Sequence, residues 1–76
     1  MPPKILTGKV IKKYRLIHKI SQAELADLCS LSPISISKFE RNISEPSFES
    51  IVKLAKAFKM EVSEFIKEIE ESLEIS

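Results

Sequence analysis

The sequence predicts an all-α domain built as a compact bundle of five short helices. Apolar residues recur at helical spacing along nearly the whole chain, no run alternates with period two for long, and Ser, Pro and Asn punctuate the chain where helices start and stop. Length sets the scale. A chain of 76 residues makes one domain that buries only roughly 60% of the surface exposed by its unfolded form, so a separate catalytic or ligand-sensing domain is not expected.

The first helix is expected over about residues 8–19, with Val10, Ile11, Tyr14 and Ile17 on its buried face. The second, over 22–29, has the sharpest start. Ser21 and Glu24 have the S-x-x-E spacing of a capping box, Ile20 and Leu25 can close a hydrophobic staple across it, and Leu25, Ala26 and Cys29 mark the inner face. Ser30 ends it. The third helix, over 33–41, begins with Ser32 as N-cap and Pro33 at the first helical position, where the missing N–H costs nothing. It should stop near Asn42, a residue that tolerates the left-handed conformation. Pro46 and Ser47 introduce a fourth helix over 48–58 whose apolar face is Phe48, Ile51, Leu54, Ala55 and Phe58. Ser63 is expected to cap a fifth over 64–73, which carries Phe65, Ile66, Ile69 and Leu73.

Composition narrows the function classes. With 43% hydrophobic and 30% charged residues the chain reads as a soluble globular protein. The one cysteine, Cys29, excludes an internal disulfide, and with His18 as the one histidine the multiple ligands of a zinc site are missing. No metal and no cofactor are expected. Cys29 reads as a small core hydrophobe and His18 as a neighbour of a helix C-terminus. No Ser-His-Asp or Cys-His set can be assembled without dismantling the core, and Gly8 alone makes no glycine-rich phosphate loop, so the chain is not read as an enzyme. No apolar run approaches a membrane span, and the start MPPKILTGK lacks the apolar stretch of a signal peptide. A reducing, cytoplasmic setting without membrane contact is expected.

Charge is unevenly spread. Residues 1–60 hold eleven basic and five acidic groups, a balance of +6, whereas 61–76 set Lys67 against Glu61, Glu64, Glu68, Glu70, Glu71 and Glu74, a balance of −5. A basic body fits a polyanionic partner, and the acidic tail should point away from it. The alternative is a set of solvated helix faces.

The stretch SQAELADLCSLSPISISKFERN joins two helices across only Ser30, Leu31 and Ser32, which is helix-turn-helix spacing. Placed at about 100° per residue, Ile36, Phe39 and Glu40 fall on one side of the third helix. Ile34, Lys38 and Arg41 fall on the other, with Ser35 and Ser37 on the flanks. Two cations, two hydroxyls and an outward isoleucine suit a DNA major groove, where Lys reads guanine, hydroxyls read several edges and an apolar group meets a thymine methyl. Ile34 could instead pack on a neighbouring loop. Inward Glu40 needs a partner, since an unpaired buried carboxylate costs several kcal/mol.

SQAELA at 21–26, ISKFER at 36–41 and EPSFESIVKLAKAF at 45–58 together resemble the phage-repressor, or Cro and XRE-like, helix-turn-helix family, over residues 7–66. The resemblance implies a λ-repressor-like DNA-binding domain. It pairs Arg15 with Glu40 as a structural ion pair that sets the angle of the third helix. It also places Gln22 on a backbone phosphate, at a helix N-terminus that favours anions. Ile34, Ser35, Ser37 and Lys38 are then candidate base contacts, and Arg41, Lys12, Asn42 and Ser44 further candidate phosphate contacts. The family usually has Gly where this chain has Ser30 and Lys19. Both positions often need φ > 0, so these residues either accept that conformation or use altered turns.

Two functions compete on this reading. The first is a sequence-specific transcriptional regulator, repressor or autoregulator, that binds double-stranded DNA as a homodimer on a partly palindromic operator, without a small-molecule effector. The second is a protein-interaction module of the same fold, of antitoxin or coactivator type. After the core is supplied, Ile66, Ile69 and Leu73 remain as an apolar stripe, which either builds the dimer or folds back over the first helix.

Overall fold

A computed structural model describes residues 6–72 as five helices and no strands: α1 Thr7–Ile17, α2 Gln22–Cys29, α3 Pro33–Glu40, α4 Phe48–Ala57 and α5 Val62–Glu71. Among the described residues no helix is long and apolar enough to cross a membrane. Leu73, expected in the apolar stripe of the last helix, lies outside the described residues.

Local chemistry starts four of the helices. Ser21 Oγ accepts the Glu24 N–H at 3.0 Å while Glu24 Oε1 accepts the Ser21 N–H at 2.9 Å, a complete capping box at the head of α2. Ser32 and Ser47 cap α3 and α4 by accepting the N–H three residues on. In α5 the cap is Glu61, whose N–H is taken by Glu64 at 3.2 Å. Ser63, expected as the cap, lies inside the helix and exposed, because the reach-back of Glu64 starts the helix two residues earlier.

Four helix ends share one device. Lys19, Ser30, Asn42 and Lys59 have φ between 55° and 58°, and in each case the next residue donates its N–H five positions back: Ile20 to Arg15, Leu31 to Ala26, Ile43 to Lys38 and Met60 to Ala55. This is the left-handed ending with its 6→1 bond. The absence of Gly at Lys19 and Ser30 is therefore met by accepting φ > 0. A non-glycine residue there costs about 1–2 kcal/mol.

Between these ends the helices close one core of Val10, Ile11, Leu25, Ala26, Cys29, Ile36, Phe39, Leu54, Ala55, Phe58 and Phe65. α3 packs on α1 and α2, α2 on α4, α4 on α5, and α5 returns to α1. Phe58 is the aromatic centre, with Tyr14, His18 and Phe65 rings at 5.9, 5.7 and 5.8 Å. His18 thus stacks on a core ring while capping α1. Tyr14 Oη donates to Glu68 Oε1 at 2.8 Å and Lys13 Nζ reaches the same oxygen at 3.3 Å, clasping α5 to α1. These two donors hold the Glu68 carboxyl below its ordinary range, and donating to that carboxylate raises the Tyr14 hydroxyl.

Two expected core residues point outward. Ile17 is 58% exposed and Phe48 is 70% exposed. Ile17 is the last residue of α1 and Phe48 the first of α4, so each has helix neighbours on one side only.

Gly8 lets α1 approach α3. A Cβ at this position would stand 2.2 Å from the Phe39 carbonyl oxygen and 2.6 Å from that of Glu40. Gly8→Ala gains about 1 kcal/mol of helix propensity but forces backbone apart, and we expect a net loss of about 1–3 kcal/mol in urea unfolding. Ser30→Gly should act in the opposite direction, raising stability by about 0.5–1 kcal/mol through relief at φ 55°. A lowered melting temperature for Ser30→Gly would contradict that account.

Candidate nucleic-acid interface

The site is built on α3, held from behind. Glu40, with only 4% of its side chain exposed, receives Arg15 Nε on Oε2 at 2.6 Å and Arg15 Nη2 on Oε1 at 3.1 Å. The third donor of the guanidinium, Nη1, goes to the Ile20 carbonyl at 3.0 Å. A planar fork is needed for this set of contacts, which Lys could not make. Hydrogen bonding to Glu40 raises Arg15 further above its already high range, so the guanidinium stays charged.

Gln22 joins the same network, its Nε2 donating to Glu40 Oε1 at 3.1 Å. The family resemblance places Gln22 on a backbone phosphate, at the helix N-terminus. The structure ties the side-chain nitrogen to α3. The Glu24 N–H goes to Ser21 Oγ and the Leu25 N–H to the Ser21 carbonyl, so the N–H groups of Gln22 and Ala23 have no acceptor within the helix.

On the opposite side of α3, Ile34 is 67% exposed and Lys38 is exposed. Ile34 therefore does not pack on a neighbouring loop. Arg41, exposed just past the helix, folds its Nε back to the Ser37 carbonyl at 3.4 Å. Ser35 and Ser37 are half-buried on the flanks. Ser35 Oγ lies 3.0 Å from Ser32 Oγ, so the hydroxyl is engaged in the helix cap. Lys12 and Ser44 are exposed, on α1 and in the loop after α3.

Asn42 has a role that its sequence position does not show. Its Oδ1 accepts the Gly8 N–H at 3.1 Å, satisfying a donor at the head of α1, whose own N-cap residue Leu6 makes no side-chain cap. Asn42 thus joins the end of α3 to the start of α1, leaving its amide N–H groups for any phosphate contact. Its sequence signal was the preference of Asn for left-handed helix ends; the partner, 34 residues away, had none. Cys29 is buried, and burial pushes its thiol up, which keeps it protonated and inert.

Two short helices joined across a left-handed serine, with the second presenting an apolar and cationic face, define a helix-turn-helix DNA-binding domain. The family model described as helix-turn-helix matches residues 11–65, and the chain belongs to that family, in its XRE-like branch of DNA-binding transcriptional regulators; it is not an enzyme. No curated protein matches the sequence. Among solved structures it is similar to the P22 c2 repressor in complex with a synthetic operator, at 32% identity and a TM-score of 0.73 over 82% of this chain and 94% of that one. It is also similar to the restriction-modification controller protein C.AhdI of Aeromonas hydrophila, at 30% identity and TM-score 0.75 over 80% and 92% of the two chains. A third is the N-terminal DNA-binding domain of SinR from Bacillus subtilis, at 27% identity and TM-score 0.73 over 80% and 90%.

The two arginines of the site should separate cleanly. Arg15→Ala strands Glu40 and should cost about 3–5 kcal/mol, whereas exposed Arg41→Ala should fall within about ±0.5 kcal/mol of the parent. Urea melts with equal midpoints for the two variants would show that the pair does not hold α3.

Proposed function

We propose that the protein is a sequence-specific regulator, a repressor or autoregulator, that binds as a symmetric homodimer to a partly palindromic operator. α3 lies in the major groove. One observation carries the reading: Ile34 and Lys38 stand outward on a helix whose inner face is pinned through Glu40. Such a face is presented at a defined angle. Lys38 reads guanine, Ile34 meets a thymine methyl, and Ser35 and Ser37 contact neighbouring edges. Arg41, Lys12, Asn42, Ser44 and the head of α2 at Gln22 hold the phosphates.

A homodimer is supported by the small footprint of a single helix-turn-helix, which two half-sites one helical turn apart extend. The proposed contact runs along Ile66, Ile69 and Leu73. Ile66 and Ile69 are half-buried, and Ile69 also packs against the core. Protein concentration is the natural input, since dimer formation coupled to operator binding steepens the dose response. The reading places the protein in the cytoplasm with DNA as its partner. It is further supported by the likeness to the P22 c2 repressor and to SinR, each solved in complex with DNA.

Selection from random duplex DNA should return a two-fold motif. Affinity should fall steeply with salt, by about 0.9 log units per phosphate contact for each log unit of salt. Lys38→Ala should lose about 1–3 kcal/mol of discrimination at one base position, while Arg41→Ala should weaken specific and random duplexes alike. An unenriched selection, or affinity indifferent to salt, would favour a protein-interaction module instead.

A further inference from the structure

Six large apolar side chains are prominently exposed: Leu16, Ile17, Leu28, Ile34, Ile43 and Phe48. Ile34 belongs to the DNA-facing side of α3, and Phe48 edges an apolar groove between α4 and α5 that Glu45 and Glu70 border. Leu28, 62% exposed, has different company. It stands near the end of α2 beside an open hollow of about 400 Å³, with buried Cys29 and half-buried Ala57 at its base and Lys53, Lys56 and Lys59 around it. Among the described residues no carboxylate lines this hollow.

We infer that the hollow docks an acidic, amphipathic segment of a second protein, whose carboxylates meet Lys53, Lys56 and Lys59 while an apolar side chain covers Leu28. Charge complementarity selects the occupant. Lys53 and Lys56 stand one turn apart on α4, about 4.5 Å along its axis, and Lys59 follows in the turn beyond it. Among the described residues Lys56 and Lys59 form no ion pair, although Glu61 and Glu64 share a separate hollow with them. Lys53 holds Glu49 at 3.3 Å, a carboxylate 79% exposed, and so exposed a pair yields to a docking carboxylate at little cost. A cation in the last turn of a helix favours the helix dipole, which accounts for Lys56. It accounts neither for Lys53 nor for an uncovered leucine on another helix.

Leu28 also separates a protein partner from DNA. A phosphate backbone brings three lysines their counter-charges but gives an exposed leucine no apolar surface to meet, whereas an amphipathic segment supplies both. The position agrees. Leu28 lies six residues beyond Gln22, about 9 Å along α2 from the head of that helix, and α4 packs on α2 and α5. The segment can therefore dock while α3 is in the major groove, and a DNA-bound copy can hold a second protein.

The test uses the full chain and a labelled helical peptide of Leu and Glu, three turns long, with Leu along one face. Two control peptides replace every Glu by Lys or every Leu by Ser. Anisotropy should show the Leu-Glu peptide binding about tenfold or more tighter than either control, with amide shifts centred on residues 28–30 and 53–59. Leu28→Ser, and Lys53→Glu combined with Lys56→Glu, should each weaken it by about tenfold or more, and the charge-reversed protein should now prefer the Lys-bearing peptide. These side chains are at the surface, so circular dichroism should match the parent. Lys56→Gln, expected to weaken the peptide about threefold, replaces the charge-reversed protein if that variant does not fold. Protein held on a duplex selected from random DNA should bind the peptide as free protein does. Displacement of the peptide by duplex would make the hollow a DNA contact and overturn the inference. Shifts centred on α3 or on the α4–α5 groove, or variants that bind the peptide as the parent does, would overturn it as well. So would sedimentation showing that the same substitutions break up a dimer, since the hollow would then belong to self-association.

Discussion

The Arg15–Glu40 contact is the interaction on which the arrangement depends. One carboxylate on α3, nearly sealed from water, accepts two donors from α1 and one from Gln22 at the head of α2, while the same guanidinium closes the α1–α2 turn at the Ile20 carbonyl. Four segments meet at that point. A buried pair of this kind adds little net stability over an apolar replacement. Its value is directional: a fork geometry has one good solution, so α3 has one angle relative to α1 and α2, and the exposed face of α3 is thereby aimed.

Around that point the fold is assembled from short helices whose ends are bent in the same way. Lys19, Ser30, Asn42 and Lys59 each turn the chain through the left-handed region and bring the next backbone N–H back onto the helix just completed. Sharp endings keep the connections short, which suits a domain with a small core. The close approach at Gly8 adds to this, since α1 and α3 come together backbone to backbone and Asn42 satisfies the N–H that the contact buries.

The acidic last helix is less uniform than its composition implies. Glu68 is drawn inward as the acceptor for Tyr14 and Lys13, Glu64 is spent on starting α5, and Glu70 remains at the apolar groove. Two surfaces of opposite chemistry result: a cationic and apolar face on α3, and an apolar groove bordered by carboxylates between α4 and α5.

Sequence by itself determined the helices and most of their starts, because a cap is a contact between residues three apart. The Ser21 and Glu24 box, the Ser32 and Ser47 caps and the two faces of α3 all follow from local spacing. The Arg15–Glu40 pairing was legible through family resemblance, on the strength of an inward carboxylate that had to be neutralised. Tertiary structure alone decided which apolar positions are covered. Periodicity puts Ile17 and Phe48 on apolar stripes, yet both sit at helix termini and stay exposed. Long-range closure also recruited Asn42 to Gly8 and Gln22 to Glu40, since a polar side chain takes the donor or acceptor that folding brings within about 3 Å, and no local pattern records which one that will be.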